Sequence, residues 1–117
     1  MAAPNIVNVV TITGKTAVQA VGTSATAIVT NSSGSGKVFK VNFLILANVD
    51  GAANVDATID LYRGGTAYKI GNTILVPADS SFDVLSAPLY LEEGDALRLT
   101  ASAVGDLEAV CSYEEIS

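Results

Sequence analysis

Carboxylates are the side chains in this sequence with the most chemistry to offer. Glu92, Glu93 and Asp95 stand together in the phrase LEEGD, and Glu114 and Glu115 sit near the end of the chain. Oxygen ligands grouped in this way can hold calcium, and a carboxylate pair can supply the acid and the base of glycoside hydrolysis. The competing reading is a solvated turn at LEEGD and an exposed acidic end at Glu114 and Glu115, because Gly and Asp favour turns and the phrase joins two extended stretches. That second reading is the stronger. No histidine occurs anywhere, which removes the Ser-His-Asp and Cys-His nucleophile systems and the commonest general base together. Cys111 is the one cysteine, so there is no intrachain disulfide and no cysteine-based zinc site, and it reads as a small buried thiol.

Two further phrases fail as phosphate cradles. Gly14-Lys15-Thr16 has the ending of a P-loop, whose backbone amides surround phosphates while lysine and hydroxyl reach phosphate and magnesium. The first glycine of that motif would fall at Val9. Gly36-Lys37 has Asn31 at the glycine position and Val38 where the hydroxyl is required. Neither a cofactor nor a metal is expected. Asn31-Ser32-Ser33 fits a glycosylation sequon, and is read simply as part of a loop.

Extended chain must position whatever function remains. Half of the 117 residues are apolar, with four tyrosines, three phenylalanines and no tryptophan, so the core is light and leans towards β-structure. A chain of this length hides roughly two-thirds of its unfolded surface in one core, and a single domain over residues 1–117 is expected, with 1–4 as an N-terminal tail. Mean hydropathy is +0.45, yet the longest apolar run, residues 43–47, is far short of the roughly 18 residues of a membrane helix. The opening MAAPNIVNVVTITGK lacks the basic region, long apolar core and cleavage site of a signal peptide. A soluble, unsecreted chain follows as the expectation, with extra apolar surface buried between subunits, because monomers rarely expose large apolar patches. Six basic against twelve acidic residues give a net charge of −6, which disfavours nucleic-acid phosphates and anionic lipid as partners.

Alternation supplies the strands. Residues 5–13 read as one strand broken by Gly14 and Lys15, 17–21 as a short second one, and 24–30 as a third ending in the loop NSSGSG, residues 31–36. Residues 37–48, KVFKVNFLILAN, form the longest candidate. Phe39, Val41, Phe43, Ile45 and Ala47 share its core face, while the opposite face begins polar and turns apolar at Leu44 and Leu46, which a loop or another subunit should cover. Gly64-Gly65 marks a two-residue hairpin. Its register sets Leu61 against Tyr68, Ile59 against Ile70, Val55 against Ile74 and, on the other face, Asp60 against Lys69. A short strand is expected at 81–84. For residues 88–117, a three-residue loop at 104–106 pairs Ala101 with Ala109, Leu99 with Cys111 and Leu97 with Tyr113, keeping one face apolar. Seven or eight short strands without a helical period predict an all-β antiparallel sandwich, jelly-roll-like. Val38, Leu44, Leu46 and Tyr62 are the interface candidates. Tyr62 is also the best-placed aromatic for a carbohydrate- or receptor-binding module, the alternative of another class.

The phrases GKVFKVNFLILANVDG, ATIDLYRGGTAYKI, ILVPADSS and LYLEEGDALRLTASAVGDLEAVCSYEEIS resemble a family of small proteins encoded by tailed bacteriophages, cyanophages among them. Phe43 and the loop at 49–55 depart from the family's usual phrasing. The resemblance implies a non-enzymatic virion structural protein, assembled in the host cytoplasm, but not which component; high apolarity without a membrane span, the half-covered strand at Leu44 and Leu46 and the acidic, histidine-free surface point to a capsid decoration or cement protein first and a neck or tail component second. The expected partners are further copies of the chain, a homo-oligomer with a trimer favoured, and other virion proteins such as the major capsid protein.

Overall fold

Alternating apolar side chains bring the chain into two antiparallel sheets. The computed structural model describes residues 8–117, which form nine strands and no α-helix. These are β1 (Ile12–Val21), β2 (Thr26–Thr30), β3 (Val38–Asn48), β4 (Val55–Arg63), β5 (Thr66–Val76), β6 (Ser81–Asp83), β7 (Leu89–Leu91), β8 (Ala96–Ala101) and β9 (Leu107–Ile116). One sheet runs β1-β9-β3-β6, with β7 also on β3, and the other runs β2-β8-β4-β5. A single core joins them, built from Val21, Val41, Leu44, Leu46 and Leu107 of the first and Val29, Ile59, Val76, Leu97 and Leu99 of the second. The all-β sandwich expected from the sequence is therefore present. Nine strands replace the seven or eight expected because residues 81–91 pair twice along β3, β6 against Ile45–Ala47 and β7 against Phe39–Val41.

Three sequence expectations change. The strand expected at 5–13 lies partly outside the described residues, and the tail at 1–4 lies wholly outside them. Within them, β1 begins at Ile12 and runs through Gly14 and Lys15 without a break. Unbroken pairing with β9, from Ile12 opposite Ile116 to Val21 opposite Leu107, overrides the local breaker.

The second change is in β3. Its register against β9 shifts between Val41 and Phe43, leaving Asn42 as the extra residue of a bulge, and one inserted residue turns every later side chain to the other face. Phe39 and Val41 point into the core before the bulge, and Leu44 and Leu46 do so after it. Two bulges on β5 act likewise on the hairpin. Gly64 and Gly65 both take positive φ, as a type I′ turn requires, and Leu61 meets Tyr68 as expected. Beyond that, the inserted residues move Ile59 to Gly71 and Val55 to Val76.

The third change is largest. β8 and β9 are not a hairpin: β8 pairs with β2 and β4, and β9 pairs with β1 and β3. Leu97, Leu99 and Ala101 still share a core with Leu107, Ala109 and Cys111, but across the space between sheets. Alternation places residues on a face and does not say which sheet the face belongs to.

Candidate functional site

The acids of LEEGD are structural before they are anything else. Asp95 is 1% exposed and accepts two hydrogen bonds from Arg63, Nε to Oδ1 at 2.7 Å and Nη2 to Oδ2 at 2.6 Å. The Glu92 amide also donates to Oδ2 at 2.8 Å. Bidentate pairing to the guanidinium holds the Asp95 carboxyl below the ordinary aspartate value despite the opposing effect of burial. Arg63 closes the β4–β5 hairpin, so this pair ties the turn before β8 to the end of β4. The solvated turn expected at LEEGD is accordingly half wrong: Glu92 is exposed, but Asp95 lies inside.

Asn31 shares that end of the molecule. It is fully buried, and its Nδ2 donates to the carbonyls of Lys37 at 2.9 Å and Leu91 at 3.0 Å. Gly94 N donates to the Asn31 carbonyl at 2.7 Å, and Gly36 N to Glu93 Oε2 at 3.1 Å. The loop NSSGSG is thus stitched to LEEGD, and Asn31 is a tertiary brace in place of an accessible sequon. Glu115, expected at an exposed end, is mostly covered and bridges Lys15 and Lys37, each at 3.0 Å. Burial raises its carboxyl, and the two lysines outweigh burial and bring it below the usual glutamate value. The Cys111 thiol is buried, and burial pushes it up to about 11.

Tyr62 does face out of the four-stranded sheet, but its ring is taken. The Arg98 guanidinium lies 4.0 Å from the ring centroid and donates through Nε to Asp60 Oδ1 at 2.9 Å, a stacked cation of the kind aromatic faces favour. Asp60 does lie opposite Lys69, as expected, yet its ion pair is with Arg98, which lies opposite it on β8. A sugar ring stacking on that face would have to displace the guanidinium.

The remaining interface candidates lie deeper. Leu44 and Leu46 are 0% exposed and Val38 is 6% exposed. The bulge at Asn42 aims Leu44 and Leu46 at the chain's own second sheet, so they have no free surface to offer a partner. Uncovered apolar side chains lie elsewhere, among them Val18 at 75%, Ile12, Leu75, Tyr68 and Val110. Register aligns Val18, Val110 and Ile45 across β1, β9 and β3, on the outer face of the five-stranded sheet. A shallow depression of about 280 Å³ lies between Val18 and Val110 with Glu108 at its rim. Sequence reasoning missed this row because it ended the first strand at Gly14 and placed Ile45 inside. Among the described residues no group of three or more Cys, Asp or Glu side chains is placed to hold a metal ion, and no helix is long and apolar enough to cross a membrane.

With the sandwich and its surfaces in place, likeness to known proteins can be weighed. No family model and no curated relative matches the chain. Among solved structures, it is similar to a protein of the disulfide-linked pili that form Bacillus endospore appendages, at 19% identity and a TM-score of 0.53, covering 98% of this chain and 88% of that one. This shows a shared fold. A pentameric capsid protein from metagenomic phage sequences matches at 23% identity, over 85% of this chain and 59% of that one. Its TM-score of 0.39 is too low to argue from.

Proposed function

We propose that the chain is a non-enzymatic structural subunit of a tailed-phage particle, one sandwich domain bound in many copies to the capsid as a decoration or cement protein. The observation that carries this reading is the division of labour on its surface. The buried acids, Asp60 and Asp95, each hold an arginine, and the mostly covered Glu115 holds two lysines, while strand residues such as Val18 leave apolar area open. Adhesion through such area yields about 25 cal/mol per Å², and symmetry multiplies a modest contact over a particle. Phrase-level resemblance to small tailed-phage proteins supports the same role.

The strand order supports a jelly-roll wrap. β1 lies beside β9, β2 beside β8, β3 beside the β6 and β7 pieces, and β4 beside β5, which is a hairpin of nested strands rolled into two sheets. That the pilus protein of Bacillus endospore appendages shares this sandwich supports an assembling subunit. Here, however, the one cysteine is buried and held as a thiol, so subunits would meet through non-covalent surfaces. Self-association belongs to this reading, together with contact to other virion proteins such as the major capsid protein. No feature of the fold singles out the trimer, and residues around Arg98 and Tyr62 do not favour the carbohydrate module.

Quantitative mass spectrometry of purified particles tests the role. Copies on the order of hundreds mean the capsid lattice, ring-like numbers mean the neck or tail, and absence from particles overturns the structural reading.

A further inference from the structure

β1 leaves one side of its backbone open. Thr11 N donates to the Ser117 carbonyl and Ser117 N to the Thr11 carbonyl, both at 2.9 Å. Antiparallel ladders alternate such doubly bonded pairs with unbonded ones, so the odd-numbered residues of β1 bond to β9. Ile12, Gly14, Thr16, Val18 and Ala20 therefore turn their N–H and C=O groups the other way. Among the described residues no strand pairs along that side.

The other sheet edges are guarded by the devices that stop strands from recruiting partners. β5 carries two bulges and a left-handed Thr73 at φ 48°. β2 has five residues and a bulge at Ile28, and β6 and β7 have three residues each. By contrast β1 has ten residues in unbroken register, no proline and one charge, Lys15, which is drawn to Glu115. An edge of this kind takes an extended strand.

We propose that the free edge of β1 pairs antiparallel, across a twofold axis, with β1 of a second copy of this chain. This deepens the self-association in the reading above and rests on it. Residues opposite one another must share a face, so the axis falls on a residue and not between two. Centring it on Thr16 or on Ala17 retains most of the strand. In the first case Lys15 meets the partner's Ala17, and in the second the partner's Gln19, so like charges never face each other. β1 carries no acid in a chain of net charge −6, so no carboxylates of the two strands face each other across the pair. The exposed Val18 gains a neighbour, and the five-stranded sheet continues into that of the partner. One strand per chain is well below the roughly 20–30 residues a side of a standard interface, so the pair is concentration-dependent and is strengthened where a lattice holds the copies together.

Cysteine cross-linking tests the edge. Because Ala17 lies opposite Cys111, Ala17→Cys and Thr16→Cys are each made in a Cys111→Ala background, oxidised while folded, alkylated and run on a denaturing gel. One of the two is expected to give a covalent dimer, since directly opposed Cβ atoms lie about 4.5–5.5 Å apart. Parent protein carrying only Cys111, and Val110→Cys, stay monomeric. A folded pair of variants that both fail to cross-link overturns the proposal. Thr16→Pro removes an outward N–H while leaving the β9 ladder whole, and is expected to weaken self-association at least about tenfold by sedimentation, which corresponds to ~1.4 kcal/mol. Unchanged self-association in that variant, with the parent's circular dichroism, also overturns the edge. Copy counting in particles is independent: abundant protein without cross-links sinks the edge pairing alone, and a cross-linked dimer absent from particles sinks the virion role alone.

Discussion

Asp95 and Asn31 show what a single residue can hide from a sequence reading. Each sits in a phrase of turn residues, LEEGD or NSSGSG, and local pattern correctly places both phrases between strands. Their partners are far along the chain, Arg63 for Asp95 and Leu91 for Asn31, so neither buried contact leaves a local signature. The acid limb of stability should report this chemistry. Asp95 and Glu115 both titrate below their ordinary values of 3.8 and 4.5 in the folded chain. A depressed carboxyl contributes stability that is complete above its unfolded value and is lost as pH falls through the folded one. The urea midpoint is therefore expected to be level from neutral pH down to about 5 and to fall below the two ordinary values. Arg63→Ala strands a buried carboxylate and should cost about 1–3 kcal/mol at neutral pH, below the range for fully buried pairs because Arg63 is half exposed. The variant should also lose part of the acid-side fall. An acid profile identical to that of the parent would show that Arg63 does not set the Asp95 titration.

Strands were legible where alternation was continuous, and they went wrong where one residue was inserted. Nothing in KVFKVNFLILAN marks Asn42 as a bulge except the change from one apolar set, Phe39 and Val41, to two apolar sets after it. That change was visible, and its cause was not. The alternating reading puts Phe43 and Ile45 in the core with Leu44 and Leu46 at an interface; the bulge exchanges them. Truncation separates the two assignments cleanly. Leu46→Ala, at a position with 0% exposure, is expected to cost about 2–5 kcal/mol, and Ile45→Ala, on the outer face beside Val110, less than about 1 kcal/mol. Denaturant unfolding of the two variants side by side is the measurement. A larger loss at Ile45 than at Leu46 would return the core to the unbulged register.

At the scale of the molecule, the difference between a hairpin and a strand that crosses between sheets decides the topology. Residues 88–117 contain two alternating runs and a turn, which a local reading pairs with each other. In the structure β9 lies between β1 and β3, and β8 between β2 and β4; a choice of that kind depends on strands that are distant in sequence and cannot be read from the runs themselves. Nested pairing also constrains how the chain folds. Ile12 must find Ile116 and Thr26 must find Leu99, and β4–β5 is the one tight hairpin among these pairs. Loop closure over such separations is costly before native contacts repay it, so refolding is expected in the range of about milliseconds to seconds, typical of all-β sandwiches. Removing residues 107–117 takes away the strand that joins β1 to β3 and buries Leu107, Ala109 and Cys111. Cooperative unfolding, followed by circular dichroism, should disappear in that truncation. If β8 and β9 were instead a terminal hairpin at the sheet's margin, the truncated chain would keep a cooperative transition at a lower midpoint, and that result would refute the nested order.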